Sequence, residues 1–340
     1  MTIALTRRQA LGTLAAAAAV GSFGAPALAR ETVKVGALRF TSHAPSFVAY
    51  ERGYFADVGL DVEFEFFQAA QPMAVAIASG DVDFGVTAIT GGLISLAEKG
   101  AIKVVGGALQ EEAGIDGQMI LASNAAHDAG LTSPAALKGK TFGISTAGSS
   151  FHYMASKIAV AEGFPGEIGF RPLQKVSAII GALKSGQIDA WAIVPHIAKA
   201  LTGAGAVQTI GRVADYLPDY QVTTVFTSAN NAAEERAKTE AFLAAFSRGA
   251  ADFNAALVDR GGDEAAAEEM VKLIHTYVYT DRPYEKAAPS IRNGAMRTTP
   301  GAALKMGSVT DQLDWFKAEG LVRDDISIDQ LVDPSYVASI

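Results

Sequence analysis

Two stretches decide how this chain is read: Ala76-Ile-Ala-Ser-Gly-Asp-Val-Asp-Phe-Gly-Val86 and Ala182-Leu-Lys-Ser-Gly-Gln-Ile-Asp-Ala-Trp-Ala192. Each reads as the end of a helix, a Ser-Gly pair, an x-apolar-Asp step and then a strand. Gly80 and Gly186 suit the left-handed position that closes a helix. Such a turn delivers the chain directly from helix to strand, as an α/β fold requires. Two matched units about a hundred residues apart imply two similar lobes.

The flanking sequence extends both units. Residues 33–40 read as a first strand. Pro45 suits the first turn of a helix running to about Gly53. Leu60, Val62, Phe64 and Phe66 alternate with Asp61, Glu63 and Glu65, the period-two pattern of a half-buried strand. A helix around 73–79 and a strand around 82–86 follow. The second unit opens with Leu131-Thr-Ser-Pro-Ala-Ala-Leu-Lys-Gly139, where Ser133 suits a cap and Pro134 a first helical residue. A strand at 141–145, a turn at Thr146-Ala-Gly148 and a helix from Ser149 or Ser150 to about Glu162 come next. Residues 118–123 and 222–228 are extended apolar stretches, read as paired connections between lobes. Beyond Ala229, Phe242, Leu243, Phe246 and Phe253 fall at helical spacing. The expected organisation is an α/β chain of two lobes, each a mainly parallel sheet flanked by helices. Lobe I takes 30–118 plus 226–340, and lobe II takes 119–225, with hinge strands at its two ends.

Composition removes whole classes of function. The chain has 340 residues, 49% hydrophobic and 19% charged, which argues against disorder. Lys plus Arg is 28 against 36 acids, a net charge of -8. Nucleic acid is therefore not an expected partner, because phosphate binding needs a basic surface. There are no cysteines, which excludes disulfides, thiolate metal sites and cysteine nucleophiles. The histidines share no metal-ligand spacing, and no metal or other cofactor is expected. Glycine-rich dinucleotide and phosphate-loop patterns do not occur between strand and helix.

Residues 1–29 read as a signal peptide. Arg7 and Arg8 precede an Ala-rich apolar run, and Ala27-Leu-Ala29 has the form of a cleavage site. Thr6-Arg7-Arg8-Gln9-Ala10-Leu11 is similar to a twin-arginine export signal, with Ala10 where a Phe is usual. Cleavage near Ala29 would leave a periplasmic protein.

The ordered motifs resemble one family. Phe47-Val-Ala-Tyr-Glu-Arg-Gly-Tyr-Phe-Ala-Asp-Val-Gly-Leu-Asp-Val-Glu63 and Ala78-Ser-Gly-Asp-Val-Asp-Phe-Gly85 are similar to signatures of sulfonate/nitrate/taurine-type solute-binding proteins of ABC importers. So are Leu137-Lys-Gly-Lys-Thr141, Gly148-Ser-Ser-Phe-His152, Ser185-Gly-Gln-Ile-Asp-Ala-Trp191 and Gln312-Leu-Asp-Trp-Phe-Lys-Ala-Glu-Gly320. The resemblance implies a type II periplasmic-binding-protein clamshell, a small-molecule ligand between the lobes and transient delivery to a membrane permease by a monomer. It implies binding rather than catalysis. A few relatives on this fold are enzymes, notably the fungal thiamine-pyrimidine synthase, whose cysteine-rich iron motif has no counterpart here. A small organic anion is the expected ligand, and a pyrimidine or thiamine precursor is the alternative.

Ligands of parallel α/β sheets sit at the carboxyl ends of strands. This selects Arg39, Phe40, Thr41 and Ser42 after the first strand, then Gln68, Thr87 and Thr90 in the same lobe. In the other lobe it selects Ser145, Gly148, Ser149, Ser150 and His152, with Trp191 and His196. Small hydroxyl residues and Gly148 at a helix start offer backbone N–H groups and the positive helix end to an anion. Ser149 or Ser150 can instead cap its own helix. Arg39 would be costly to bury beside Val33, Val35 and Ala37 unless it is paired or faces the cleft. Phe40 and Trp191 can stack on a ligand or fill core, and the resemblance favours Trp191 by placing it at a strand end. His152 and His196 can donate to an anion. Gly143-Ile-Ser-Thr-Ala147 approaches a hydrolase elbow, but Ala147 replaces its second glycine and no triad is recognisable.

Overall fold

The computed structural model describes residues 30–261 and 263–340, so the expected signal peptide lies outside the described residues. Within Glu31–Ile340 the strands are β1 (Glu31–Ala37), β2 (Leu60–Phe66), β3 (Phe84–Thr87), β4 (Ile102–Gly107), β5 (Met119–Ser123), β6 (Thr141–Ile144), β7 (Gly169–Pro172), β8 (Ala190–Ile193), β9 (Val207–Arg212) and β10 (Thr224–Ser228). They form two five-stranded sheets, ordered β2-β1-β3-β10-β4 and β7-β6-β8-β5-β9. In each sheet the fourth strand runs antiparallel to its two neighbours and the others run parallel. The fold is the expected two-lobed α/β arrangement. The alternating strand 60–66 buries Leu60 and Val62 and exposes Asp61, Glu63 and Glu65. The central strands β3 and β8 are buried throughout, as strands covered on both faces are.

The two matched motifs have the same hydrogen bonds. Gly80 and Gly186 adopt φ of 82° and 72°. The N–H groups of Asp81 and Gln187 donate to the carbonyls of Ala76 and Ala182, at 2.9 and 2.8 Å. Asp83 N–H donates to the Lys34 carbonyl, and the Lys34 N–H returns to the Asp83 carboxylate at 2.8 Å. Asp189 and Thr141 exchange the same pair of bonds in the other lobe, with the carboxylate bond at 2.7 Å. The aspartate of each motif therefore ties the incoming strand to the first parallel strand of its sheet.

Residues 118–123 and 222–228, read from the sequence as paired connections between lobes, lie for the most part inside the two sheets. They are β5 and β10, the antiparallel strands of opposite sheets, and each carries a bulge, at Ile120/Leu121 and at Val225/Phe226. Each ends in a serine that caps the next helix: Ser123 accepts from Ala126 N–H and Ser228 from Asn231 N–H. An apolar strand between two others satisfies both of its edges, so these segments enter the sheets and the more polar residues before them make the crossing. There Val222 N–H donates to the Leu109 carbonyl at 2.8 Å and Glu111 N–H to the Tyr220 carbonyl at 2.8 Å, beside a Gln110–Gln221 bridge.

The segment after β10 packs on the first sheet through the helix Arg236–Phe253, whose Phe242 stacks on Phe84 at 4.2 Å. Its later parts also reach the second lobe. On the helix Met306–Ala318, Asp311 pairs with Lys157 at 2.8 Å and accepts from the Tyr153 hydroxyl. Among the described residues no helix is long and apolar enough to cross a membrane.

Candidate functional site

The carboxyl ends of the parallel strands converge on a cavity of about 620 Å³ including its open mouth, the place where such sheets bind ligands. The loop after β1 contributes Leu38, Phe40, Ser42 and His43. Those after β2 and β3 contribute Ala69, Ala70, Thr87, Ala88 and Thr90. From the other lobe come Ser145, Ser149, Ser150 and Phe151 after β6, Val176 after β7, and Ile193 with Val194 at the end of β8. Leu109, Gln118, Val222 and Thr223 supply the wall at the crossing. The lining carries no side chain charged at neutral pH: its one titratable group, His43, is pushed down to about 3 by burial. His43 Nδ1 accepts from the Leu38 N–H at 3.4 Å, leaving Nε2 as the ring's donor.

Two polar atoms of this wall are unused. Ser149 is 3% exposed and Gln118 2%, yet Ser149 Oγ and Gln118 Oε1 have no hydrogen-bond partner. Ser149 stands at the cap position of the helix Ser150–Ala161, but its side chain makes no cap bond. A buried hydroxyl without a partner costs on the order of 1–3 kcal/mol, so such an atom points to something that completes it.

The helix start offers less to an anion than the sequence suggests. Gly148 N–H donates to His152 Nδ1 at 3.2 Å and Ser149 N–H to the Thr146 carbonyl at 3.2 Å, so two of the expected free donors are engaged. The Gly148 carbonyl accepts from Gly91 N–H of the opposite lobe at 2.9 Å. Gly148 adopts φ of 68°, and a Cβ there would lie 3.3 Å from Phe316 and 3.4 Å from Gly91 N. The left-handed backbone and the close approach of Gly91 together favour glycine here.

The remaining expected residues divide. Thr90 lines the cavity, but its hydroxyl accepts from Leu93 N–H and donates to Gln71 Oε1 at 2.9 Å. Thr41 is fully buried outside the lining, with its hydroxyl unpartnered. Trp191 is also fully buried and lies behind the wall, edge-on to Phe151 at 5.4 Å. His152 packs on Phe170 and Trp315, and burial lowers its pKa.

Arg39, Gln68 and His196 lie in a second, outer cavity of about 900 Å³ including its mouth. The strand ends at Ala37, so the alternation that aimed Arg39 at the inner cleft stops before it reaches that residue. Arg39 instead lies over the Phe66 ring at 3.7 Å and donates to the Tyr277 carbonyl at 3.1 Å. His196 Nδ1 meets the Tyr279 hydroxyl at 3.0 Å, and burial with His43 nearby lowers its pKa to about 3. Phe40 lines both cavities and stands between the two histidine rings, edge-on to each, at 6.1 Å from His43 and 5.4 Å from His196.

Sequence reasoning missed Gln118 and Thr223. The available signal was their polarity within or beside the apolar crossing stretches. Among the described residues no group of three or more His, Asp or Glu is placed to hold a metal ion. His275, the late histidine of the hydrolase reading, bonds the Arg282 carbonyl and meets the Tyr284 ring edge-on.

A family model for NMT1/THI5-like proteins matches residues 40–256. No curated protein sequence matches significantly. The fold is similar to the ligand-binding component of an ABC-type import system from Staphylococcus aureus, at 15% identity and a TM-score of 0.70, over 90% of this chain and 98% of that one. It is similar to the alkanesulfonate-binding protein SsuA from Xanthomonas axonopodis pv. citri bound to MOPS, at 17% identity and 0.69, over 89% and 98%. It is also similar to the periplasmic nitrate-binding protein NrtA from Synechocystis PCC 6803, at 14% and 0.68, over 90% and 87%. At these identities the likeness is one of fold.

Proposed function

Because this chain belongs to the NMT1/THI5-like family, we propose that it is the solute-binding component of an ABC importer, capturing a small organic anion between its lobes and handing it to a permease. One observation carries this reading: a cavity walled by strand ends of both lobes, in which the buried Ser149 Oγ and Gln118 Oε1 have no partner. The fold likeness to import-system ligand-binding proteins agrees with it. In this reading residues 1–29 direct export by the twin-arginine route, cleavage falls near Ala29, and the mature protein is a periplasmic monomer without catalytic activity. A neutral pyrimidine is the second reading, favoured by the uncharged lining of the inner cavity.

Ligand binding to the folded state alone raises stability, by about 2.7 kcal/mol at a hundredfold excess over Kd. Thermal unfolding with a panel of alkane- and arenesulfonates, carboxylates, nitrate and pyrimidines should give a rise in Tm for one chemical class. A panel without any rise counts against the proposal, and covalent turnover of a member moves the protein to the enzymes.

A further inference from the structure

The inner cavity has no charged lining, whereas the outer one collects cations. Arg39 comes from the turn after β1, Lys184 from the end of the helix Val176–Lys184 in the other lobe, and Arg282 from the turn before the helix Tyr284–Arg292. No carboxylate lines this cavity, and among the described residues none of the three cations forms an ion pair. That is unusual in a chain of net charge -8, where acids are available as partners.

The two guanidinium groups are held from behind. Arg39 rests on Phe66 and spends one N–H on the Tyr277 carbonyl, and Arg282 lies over Tyr279 at 4.6 Å. A guanidinium has five N–H donors, so most of the fork remains for a ligand. Closing the cleft brings like charges of the two lobes around one cavity. That arrangement is unfavourable by itself and favourable around an anion.

We propose that the outer cavity is an anion subsite, which takes the oxyanion head of a ligand whose uncharged end passes Phe40 into the inner cavity. The proposal rests on the solute-binding reading and divides the ligand between two chambers: charge outside, neutral body inside. It also gives Lys184 a role in closure, as the second lobe's contact to a charge held by Arg39 and Arg282.

Calorimetric titration of the purified protein with sodium sulfate at constant ionic strength tests the subsite without knowledge of the natural ligand. Sulfate should bind, and Lys184→Gln and Arg39→Gln should each weaken it by about tenfold or more, the loss expected for a charge-assisted hydrogen bond. Lys99→Gln, an exposed cation elsewhere on the surface, should leave the affinity unchanged. Lys184 is itself exposed at a helix end, so its variant should fold even if Arg39→Gln does not. Absence of sulfate binding would overturn the subsite. So would a loss caused by Ser149→Ala and not by Lys184→Gln, which would put the anion in the inner cavity. A neutral ligand from the panel, indifferent to Lys184→Gln, would remove the subsite and leave solute binding standing. Sulfate binding without any organic ligand would keep the subsite and remove the transport reading.

Discussion

The motifs at 76–86 and 182–192 are superimposable in their hydrogen bonds and opposite in how they fill space. Where the first has Gly85, the second has Trp191. On the neighbouring antiparallel strand Gly85 faces Phe226, and Trp191 faces Leu121. The larger residue of the pair stands on the antiparallel strand in the first lobe and on the parallel strand in the second. A Cβ on Gly85 would approach Ile77 Cδ1 to 2.6 Å and Phe226 Cζ to 2.8 Å. The lobes repeat a backbone, and each solves its own packing. The strand ends differ too: β3 contributes the polar Thr87 to the cavity lining and β8 the apolar Ile193.

Removing the large partner should have the largest effect. Trp191→Ala leaves a cavity at a fully buried site, and urea unfolding should show a loss of about 3–5 kcal/mol. A loss below about 1 kcal/mol would mean that Trp191 does not fill the second lobe as Phe226 fills the first.

The crossing offers a second contrast. Gln221 on one strand is fully used, its Nε2 donating to Leu109 O, Thr223 O and Thr299 Oγ1 and its Oε1 accepting from Lys305 N–H. Glu111 on the other accepts only from Gln118 N–H, at Oε1, and its Oε2 has no partner. Burial raises the Glu111 pKa from 4.5 to about 7. The fold therefore prefers the protonated form. The stability this gives is full below about pH 4.5 and is lost as pH rises through about 7. Glu111→Gln keeps an acceptor for Gln118 and removes the charge. Above pH 8 it should be more stable than the wild type by up to about 3 kcal/mol in urea titrations, an advantage that vanishes near pH 4.5. An advantage equal at both pH values would show that the charge is not its source.

Gly85→Ala probes the small partner in the first lobe. Overpacking against Ile77 and Phe226 should cost about 1–3 kcal/mol. The double variant Gly85→Ala/Phe226→Leu, which gives β10 the leucine that β5 has at the matching position, should recover part of it, and failure to recover any would break the analogy. The shared element should give the smallest and most equal effects. Asp83→Ala and Asp189→Ala each remove the acceptor of one strand N–H and should each cost about 1 kcal/mol. A difference above about 2 kcal/mol would show that the lobes do not use the motif alike.

These contrasts mark what the sequence disclosed. The Ser-Gly-x-apolar-Asp motif is local, and its left-handed glycine and strand-tying aspartate follow from residue type. The strand 60–66 was legible because its two faces have different surroundings. β5 and β10 were legible as extended but not as strands of opposite sheets, since an apolar run carries no address. The candidate site was legible as a set of loops, because topology alone puts strand ends at the cleft. Which side chain enters was not. Arg39 leaves the alternation with the end of β1, Trp191 turns to the core, and the Thr90 hydroxyl is spent on its own helix and on Gln71.

The strand order also governs how the protein can be assembled in time. All five strands of the second sheet lie between residues 119 and 212, in one uninterrupted piece. The first sheet has four of its strands early in the chain, but β10 stands between β3 and β4, and β4 has no other strand neighbour in the sheet. The half of the molecule made first at the ribosome thus waits for a strand made after its counterpart is complete. Contacts of such long sequence separation form late. Pulse-labelled amides of β8 should be protected before those of β4, and the reverse order would contradict this. Until then the facing edges of β3 and β4 are unpaired, the kind of exposed strand edge that invites pairing with another chain.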